Sequence, residues 1–119
     1  MSNQSLQEFQ AAFGTTPVEM ELPAKLAKDG FSTVYLKPLS SAARDNFEAS
    51  VVGLEGKGRD LRNLRARLVA TCWCNADGAL MGTEKQIGEL RADLIGGLFD
   101  LVRTMNGMDA DEVAEAKNA

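Results

Sequence analysis

The chain has 119 residues, of which 45% are hydrophobic and 25% charged, a composition that predicts one globular domain over residues 1–119. Its net charge of −4 argues against a whole-protein attraction to nucleic acid or to anionic membranes. The first ten residues are polar and no apolar stretch approaches the roughly 20 residues of a membrane span, so we expect a cytoplasmic protein without a membrane partner.

The N-terminal part of the chain predicts one helix and two strands. Leu6, Phe9 and Phe13 lie at helical spacing before a glycine, and we expect this helix within residues 1–15 to be mobile unless it packs on a partner. Residues 18–22 alternate apolar and acidic side chains, and a second run up to Pro38 is rich in β-branched and aromatic residues. Two strands are marginally stable alone, so we expect them to pack on helices.

The remaining chain predicts helices. Ser40 or Ser41 can N-cap the first, the second follows a glycine-rich loop, and Thr83 and Gln86 form a capping box before the third. The inward stripes are Ala43, Phe47 and Val51 in the first, Leu61, Leu64, Leu68, Val69 and Cys72 in the second, and Leu90, Leu94, Ile95, Leu98, Leu101, Val102 and Met105 in the third. We predict a mainly α (α+β) domain with four to five helices and a small N-terminal two-stranded β element.

The end of the chain has two further features. Asn106 and Gly107 are placed to end the last helix, and residues 109–119 form an acidic tail. Gly96 and Gly97 lie inside that helix, where each glycine costs about 1 kcal/mol relative to alanine. They indicate either the close approach of another helix or a tolerated kink.

The sequence Cys72-Trp73-Cys74 is the strongest candidate for a reactive or metal site. Zinc usually has four ligands, and this chain has two cysteines and no histidine. In a helix that continued to residue 74 the two thiols would point about 200° apart. A redox pair typically has C-x-x-C spacing at a helix start. We therefore predict packing instead of chemistry here, with no metal ligand, and a turn over residues 75–78.

Catalytic chemistry has no candidate in the sequence. Without histidine, Ser/His/Asp and Cys/His arrangements are excluded. The glycine-rich loop at residues 53–58 lacks the phosphate-loop pattern, because Gly58 follows Lys57 where serine or threonine is required. We predict that the protein is not an enzyme, with no catalytic residue and no cofactor.

Five basic residues within eleven positions form a cluster: Lys57, Arg59, Arg62, Arg65 and Arg67. One interpretation is the solvated face of a helix. Another is a face that binds an acidic partner, for example the acidic tail of another copy. Contact with nucleic-acid phosphates is the third interpretation. Because the total charge is negative we expect no nucleic-acid partner. The alternative function is a small nucleic-acid-binding regulatory domain that uses the Arg59–Arg67 face.

The central part of the chain carries a recognisable pattern over roughly residues 30–110. Val34-Tyr35-Leu36-Lys37-Pro38-Leu39 runs into Ser40 and a helix with Arg44, Asp45 and Phe47, then Arg59-Asp60-Leu61, residues 64–70, a short turn and a final helix ending at Asn106-Gly107. In this order the sequence resembles the tail assembly chaperone family of long-tailed (siphophage-type) bacteriophages and prophages.

The resemblance implies a non-catalytic role in tail assembly. Such a protein binds the long, hydrophobic tape measure protein and keeps it soluble until tail tube subunits polymerise around it. The implied partners are the tape measure protein, the tail tube protein and further copies of the chain, in the host bacterial cytoplasm and not in the mature virion. The predicted contact or self-association residues are Phe9, Phe13, Arg59, Arg62, Arg65, Leu98, Val102 and Met105.

A longer version of the chain is also implied. Members of this family are made in part as a fusion through a −1 ribosomal frameshift near the C-terminus. Ala116-Lys117-Asn118 can be encoded with the slippery sequence A-AAA-AAC. We therefore expect this chain to be the short product, with the frameshifted form as a further partner.

Overall fold

The computed structural model describes residues 5–53 and 62–108. These residues form five helices and three strands, which confirms the predicted α+β class. In chain order they are α1 (Leu6–Phe13), β1 (Val18–Glu21), β2 (Thr33–Leu36), α2 (Ser41–Val52), α3 (Leu64–Cys72), β3 (Trp73–Cys74), α4 (Glu84–Gly88) and α5 (Ala92–Met105). Several predicted features lie outside the described residues. They are the part of the glycine-rich loop that follows Gly53, the stripe residue Leu61, the basic residue Arg59 and the acidic tail. None of the helices in residues 5–53 and 62–108 combines the length and the hydropathy of a membrane span.

The sheet is antiparallel in the order β1-β2-β3, one strand more than predicted. Val18 pairs with Leu36 at one end of the β1–β2 ladder, and Tyr35 pairs with Cys74 between β2 and β3. The third strand forms because α3 ends at Cys72 and Trp73 turns extended, with φ −73° and ψ 122°. Its backbone covers the free edge of β2, which would otherwise leave peptide groups unpaired.

Local capping signals set the helix starts. Ser40, one of the two candidates, caps α2 by accepting the Ala43 N–H at 3.1 Å. The predicted box of Thr83 and Gln86 is present, with the Gln86 N–H donating to Thr83 Oγ1 at 3.2 Å. It begins the short helix α4, whereas the long stripe belongs to α5, which starts after a break.

The core lies around α3, which packs on α4, α5 and α2. Its fully buried large side chains are Leu36, Leu68, Leu98, Val69, Val102, Cys72 and Cys74. The predicted stripe residues Leu64 and Leu68 of α3 are buried, and so are Ala66 and Ala70. The small alanine side chains let neighbouring elements cover α3 on more than one side.

Gly97 allows a close approach, but not that of the helix which one of the two interpretations expected. A Cβ atom at Gly97 would lie 2.6 Å from Leu26 Cδ1 and 3.8 Å from Pro23 Cγ. The neighbour is therefore the turn after β1 and not another helix. At Gly96 a Cβ would meet no atom within 4 Å, so the same argument does not apply there.

Candidate binding groove

An open apolar groove of about 600 Å³ lies between the sheet, the segment 22–31 and the start of α5. We call it the sheet groove. Its volume is in the range of sites that hold ligands or side chains of a partner. The apolar residues that line it are Leu22, Leu26, Phe31, Val34, Trp73, Met81, Leu90 and Leu94. Phe31 is 72% exposed, and Met81 and Leu90 are also exposed, so the walls are accessible to a partner.

One wall is built by the turns that connect β1 to β2. The N–H groups of Leu26 and Ala27 donate to Pro23 O at 2.8 and 3.2 Å, which forms one helical turn. Lys28 and Phe31 then exchange both backbone hydrogen bonds around Gly30, whose φ of +83° favours glycine. This tight turn leaves the Phe31 ring on the surface at the rim of the groove.

The opposite wall is the corner that follows α3. Asn75 Oδ1 accepts the N–H groups of Asp77 at 2.9 Å and Ala79 at 3.1 Å, so the predicted turn over residues 75–78 is confirmed. The chain then returns, and the Met81 N–H donates to Trp73 O at 3.0 Å. Trp73 therefore stands half-buried in the wall of the groove, beside Met81.

Basic side chains predominate among the described residues that line the sheet groove. The charged ones are Lys25, Lys28 and Arg91, with Asp93 as the acid. Arg91 Nε donates to Asp93 Oδ1 at 3.1 Å, and this hydrogen bond holds the pKa of the Asp93 carboxyl below its usual range. Among the described residues, Lys25 and Lys28 have no carboxylate in ion-pair range, so two positive charges are left for a partner.

The two thiols are packing groups, as predicted. Cys72 and Cys74 are both buried, and Cys74 Sγ lies 3.6 Å from Tyr35 O as a weak donor. Burial raises the pKa of the Cys72 thiol to about 12, and the neighbouring Cys74 adds to the shift. Across residues 5–53 and 62–108 no group of three or more Cys, Asp or Glu side chains could hold a metal ion.

This burial predicts a low reactivity for the thiols. Only a thiolate reacts with iodoacetamide. A pKa of about 12 leaves Cys72 with very little thiolate at neutral pH, and burial also raises the pKa of the Cys74 thiol. We expect both cysteines to be alkylated far more slowly in the folded protein than in urea, where an unfolded thiol has a pKa of about 8.5. Mass spectrometry over a time course, with Cys72→Ala to assign Cys74, measures this. Equal rates in the folded and unfolded protein would show that the thiols are accessible.

The predicted contact residues fall into different environments. Phe9 and Phe13 are exposed on α1, with ring centroids 6.0 Å apart. Leu98 and Val102, predicted both in the inward stripe of the last helix and as contact residues, are fully buried. The inward placement is therefore confirmed, and neither side chain is at the surface as a contact residue. The physical reason is that the apolar stripe of α5 packs on α3. Met105 is half-buried against the same core.

Some side chains of the basic cluster contact other helices of the molecule. Arg67, expected on a solvated face, donates to Glu84 Oε1 at 3.3 Å and to Ser50 Oγ at 2.8 Å. The Arg65 guanidinium lies 5.9 Å from the centre of the Phe99 ring on α5. Arg62 O accepts a hydrogen bond from Arg67. These side chains therefore join α2, α3, α4 and α5, and Arg59 lies outside the described residues.

No protein-family model, curated protein or solved structure was found to match the chain. A functional conclusion therefore depends on the surfaces described above. Phe31, Met81 and Leu90, which expose apolar area at the groove, were not among the predicted contact residues. The available sequence signal was a phenylalanine directly after an Asp-Gly turn, where a buried side chain is uncommon.

Proposed function

We propose that this protein is a non-catalytic tail assembly chaperone of a long-tailed bacteriophage. In this proposal it binds helical segments of the tape measure protein in the sheet groove and keeps that protein soluble during tail tube assembly. The observation that supports it best is the open groove of about 600 Å³, whose walls expose large apolar side chains. Contiguous exposed apolar surface typically marks a site of protein interaction.

The groove has the features that hold an amphipathic helix. Such helices insert side chains at i, i+3 or i+4, and i+7 into an apolar groove. Burying one large apolar side chain contributes about 1.5–3 kcal/mol. Met81 can adapt its shape to different side chains, which suits a client with many similar segments. Lys25 and Lys28 would favour segments with acidic residues beside the apolar stripe.

Nucleic-acid binding has less support as the alternative. Arg67 donates to Glu84 and Ser50 inside the molecule, which leaves Arg62 and Arg65 as the exposed arginines of the described part of the cluster. Affinity for nucleic acid rises with the number of phosphates that basic side chains neutralise, and two arginines are a small set. We therefore propose the tape measure protein as the client. The protein would also contact the tail tube protein and its own frameshifted form. It would act in the host cytoplasm and be absent from the virion.

Co-expression with the tape measure protein of the same phage tests the function. We expect the wild-type chain to raise the soluble fraction of the tape measure protein and to co-purify with it. The double substitution Phe31→Ser plus Leu90→Ser should remove both effects, because it replaces two exposed apolar contacts of the groove.

The matched control is Val52→Ser, which replaces an apolar side chain that is 54% exposed on α2 and does not line the groove. It should behave like the wild type. If the wild-type chain neither improves solubility nor co-purifies, the function is not tail assembly. If the control fails together with the groove variant, the groove is not the binding site.

A further inference from the structure

We propose that helix α1 of a second copy of this chain occupies the sheet groove. Helix α1 has an apolar stripe of Leu6, Phe9 and Phe13, and none of its residues is buried. Phe13 is 79% exposed. As far as residues 5–53 and 62–108 show, the same chain has an exposed amphipathic helix and an open apolar groove, two surfaces that cost free energy in water.

The apolar stripe of α1 has the spacing that helix-binding grooves accept. Leu6 and Phe13 are seven residues apart, so the stripe is about 10 Å long at 1.5 Å per residue. It presents one aliphatic and two aromatic side chains, the i, i+3, i+7 pattern that grooves bind. The sheet groove of about 600 Å³ is lined by aromatic and aliphatic groups such as Phe31, Trp73 and Leu94.

The charges are complementary as well. Glu8 is the only charged residue of α1, so this helix would bring one carboxylate to the groove of another copy. The rim of the groove has the opposite balance, with Lys25, Lys28 and Arg91 against Asp93. An N-terminal segment of another copy would therefore approach the groove with favourable electrostatics.

We assign a second copy as the occupant because α1 lies outside the groove of its own copy in this structure. No residue of α1 lines the groove in this structure. After the helix ends, the connection over residues 14–17 begins in an extended conformation, with Gly14 at φ −77° and ψ 176°. At its end the Pro17 ring lies close to Gly78, where a Cβ would be 3.5 Å from Pro17 Cγ. Exchange of an identical element between copies is a low-cost route to a dimer.

This inference goes beyond the proposed function and does not depend on it. Reciprocal exchange gives a twofold dimer with two equal helix–groove contacts, whereas one-way exchange gives chains. A helical client of the proposed function would enter the same groove. Client binding and self-association would then compete. In the free chaperone, α1 of another copy would occupy the groove until a client replaces it.

The full chain alone tests the inference, without any client. Trp73 is its only tryptophan and lines the groove, so its fluorescence reports occupancy. We expect sedimentation to show a concentration-dependent dimer or larger oligomer, and the tryptophan emission to shift to the blue over the same concentrations. Phe9→Ser plus Phe13→Ser should abolish both changes, and Val52→Ser should retain them. Circular dichroism verifies that each variant is folded.

A mixing experiment separates exchange between copies from closure within one copy. The helix variant Phe9→Ser plus Phe13→Ser and the groove variant Phe31→Ser plus Leu90→Ser should each be monomeric. Their mixture should form a heterodimer, because the intact helix of one meets the intact groove of the other. A wild-type chain that stays monomeric, a blue shift independent of concentration, or oligomers that survive in both variants would each overturn the inference.

Discussion

Replacing Leu98 by alanine is expected to lower the free energy of unfolding by about 2–5 kcal/mol. The Leu98 side chain is 0% exposed and packs in the core between α5 and α3. Removing its isobutyl group forfeits the transfer free energy of the buried atoms. It also leaves a cavity that the close-packed neighbours fill only in part. Urea unfolding followed by circular dichroism measures the loss as a lower transition midpoint at an unchanged slope.

The matched control is Leu80→Ala, where the leucine side chain is 51% exposed and belongs neither to the core nor to the lining of the sheet groove. It should change the free energy of unfolding by no more than about 0.5 kcal/mol, because no core contact is lost. The pair also decides whether Leu98 is a core residue or the contact residue predicted from the sequence. A Leu98→Ala variant with wild-type stability and impaired self-association would contradict the buried placement and restore the sequence prediction.

Local signals explain what the sequence predicted correctly. Ser40 and the pair Thr83 and Gln86 mark helix starts because capping involves residues three apart in the chain. The Asn75 turn is equally local. The buried stripe of α3 follows from its helical periodicity. The fold class could therefore be predicted from neighbouring residues alone.

The features that could not be predicted from the sequence depend on contacts between residues far apart in the chain. The third strand exists because residue 73 meets the free edge of β2, which is 37 residues earlier at Leu36 in the observed register. Periodicity identifies the apolar face of α5 but not the surface that covers it, and Leu98 and Val102 were assigned to a partner for that reason. The sheet groove likewise combines residues from segments far apart in sequence, such as Phe31 and Leu90. No local pattern indicates that they meet.

Asn106 also has a role that the sequence does not indicate, because its partner Leu39 is far away in the chain. The sequence identified it as part of a helix stop, and Gly107 does take the left-handed conformation, with φ +62°. The structure adds a long-range role. Asn106 Oδ1 accepts the N–H of Leu39 at 2.8 Å, and Asn106 Nδ2 donates to Val102 O at 2.8 Å. The residue thus ties the connection between β2 and α2 to the end of α5.

We expect Asn106→Ala to lower the free energy of unfolding by about 1–3 kcal/mol, because the partly buried Leu39 N–H loses its acceptor. Hydrogen exchange of the Leu39 amide should become faster at the same time, which a general loss of helix stability would not single out. Asn46→Ala is the control, since Asn46 is an exposed residue of α2 where alanine is the better helix former. Unchanged Leu39 exchange in Asn106→Ala would show that this hydrogen bond does not hold the two segments together.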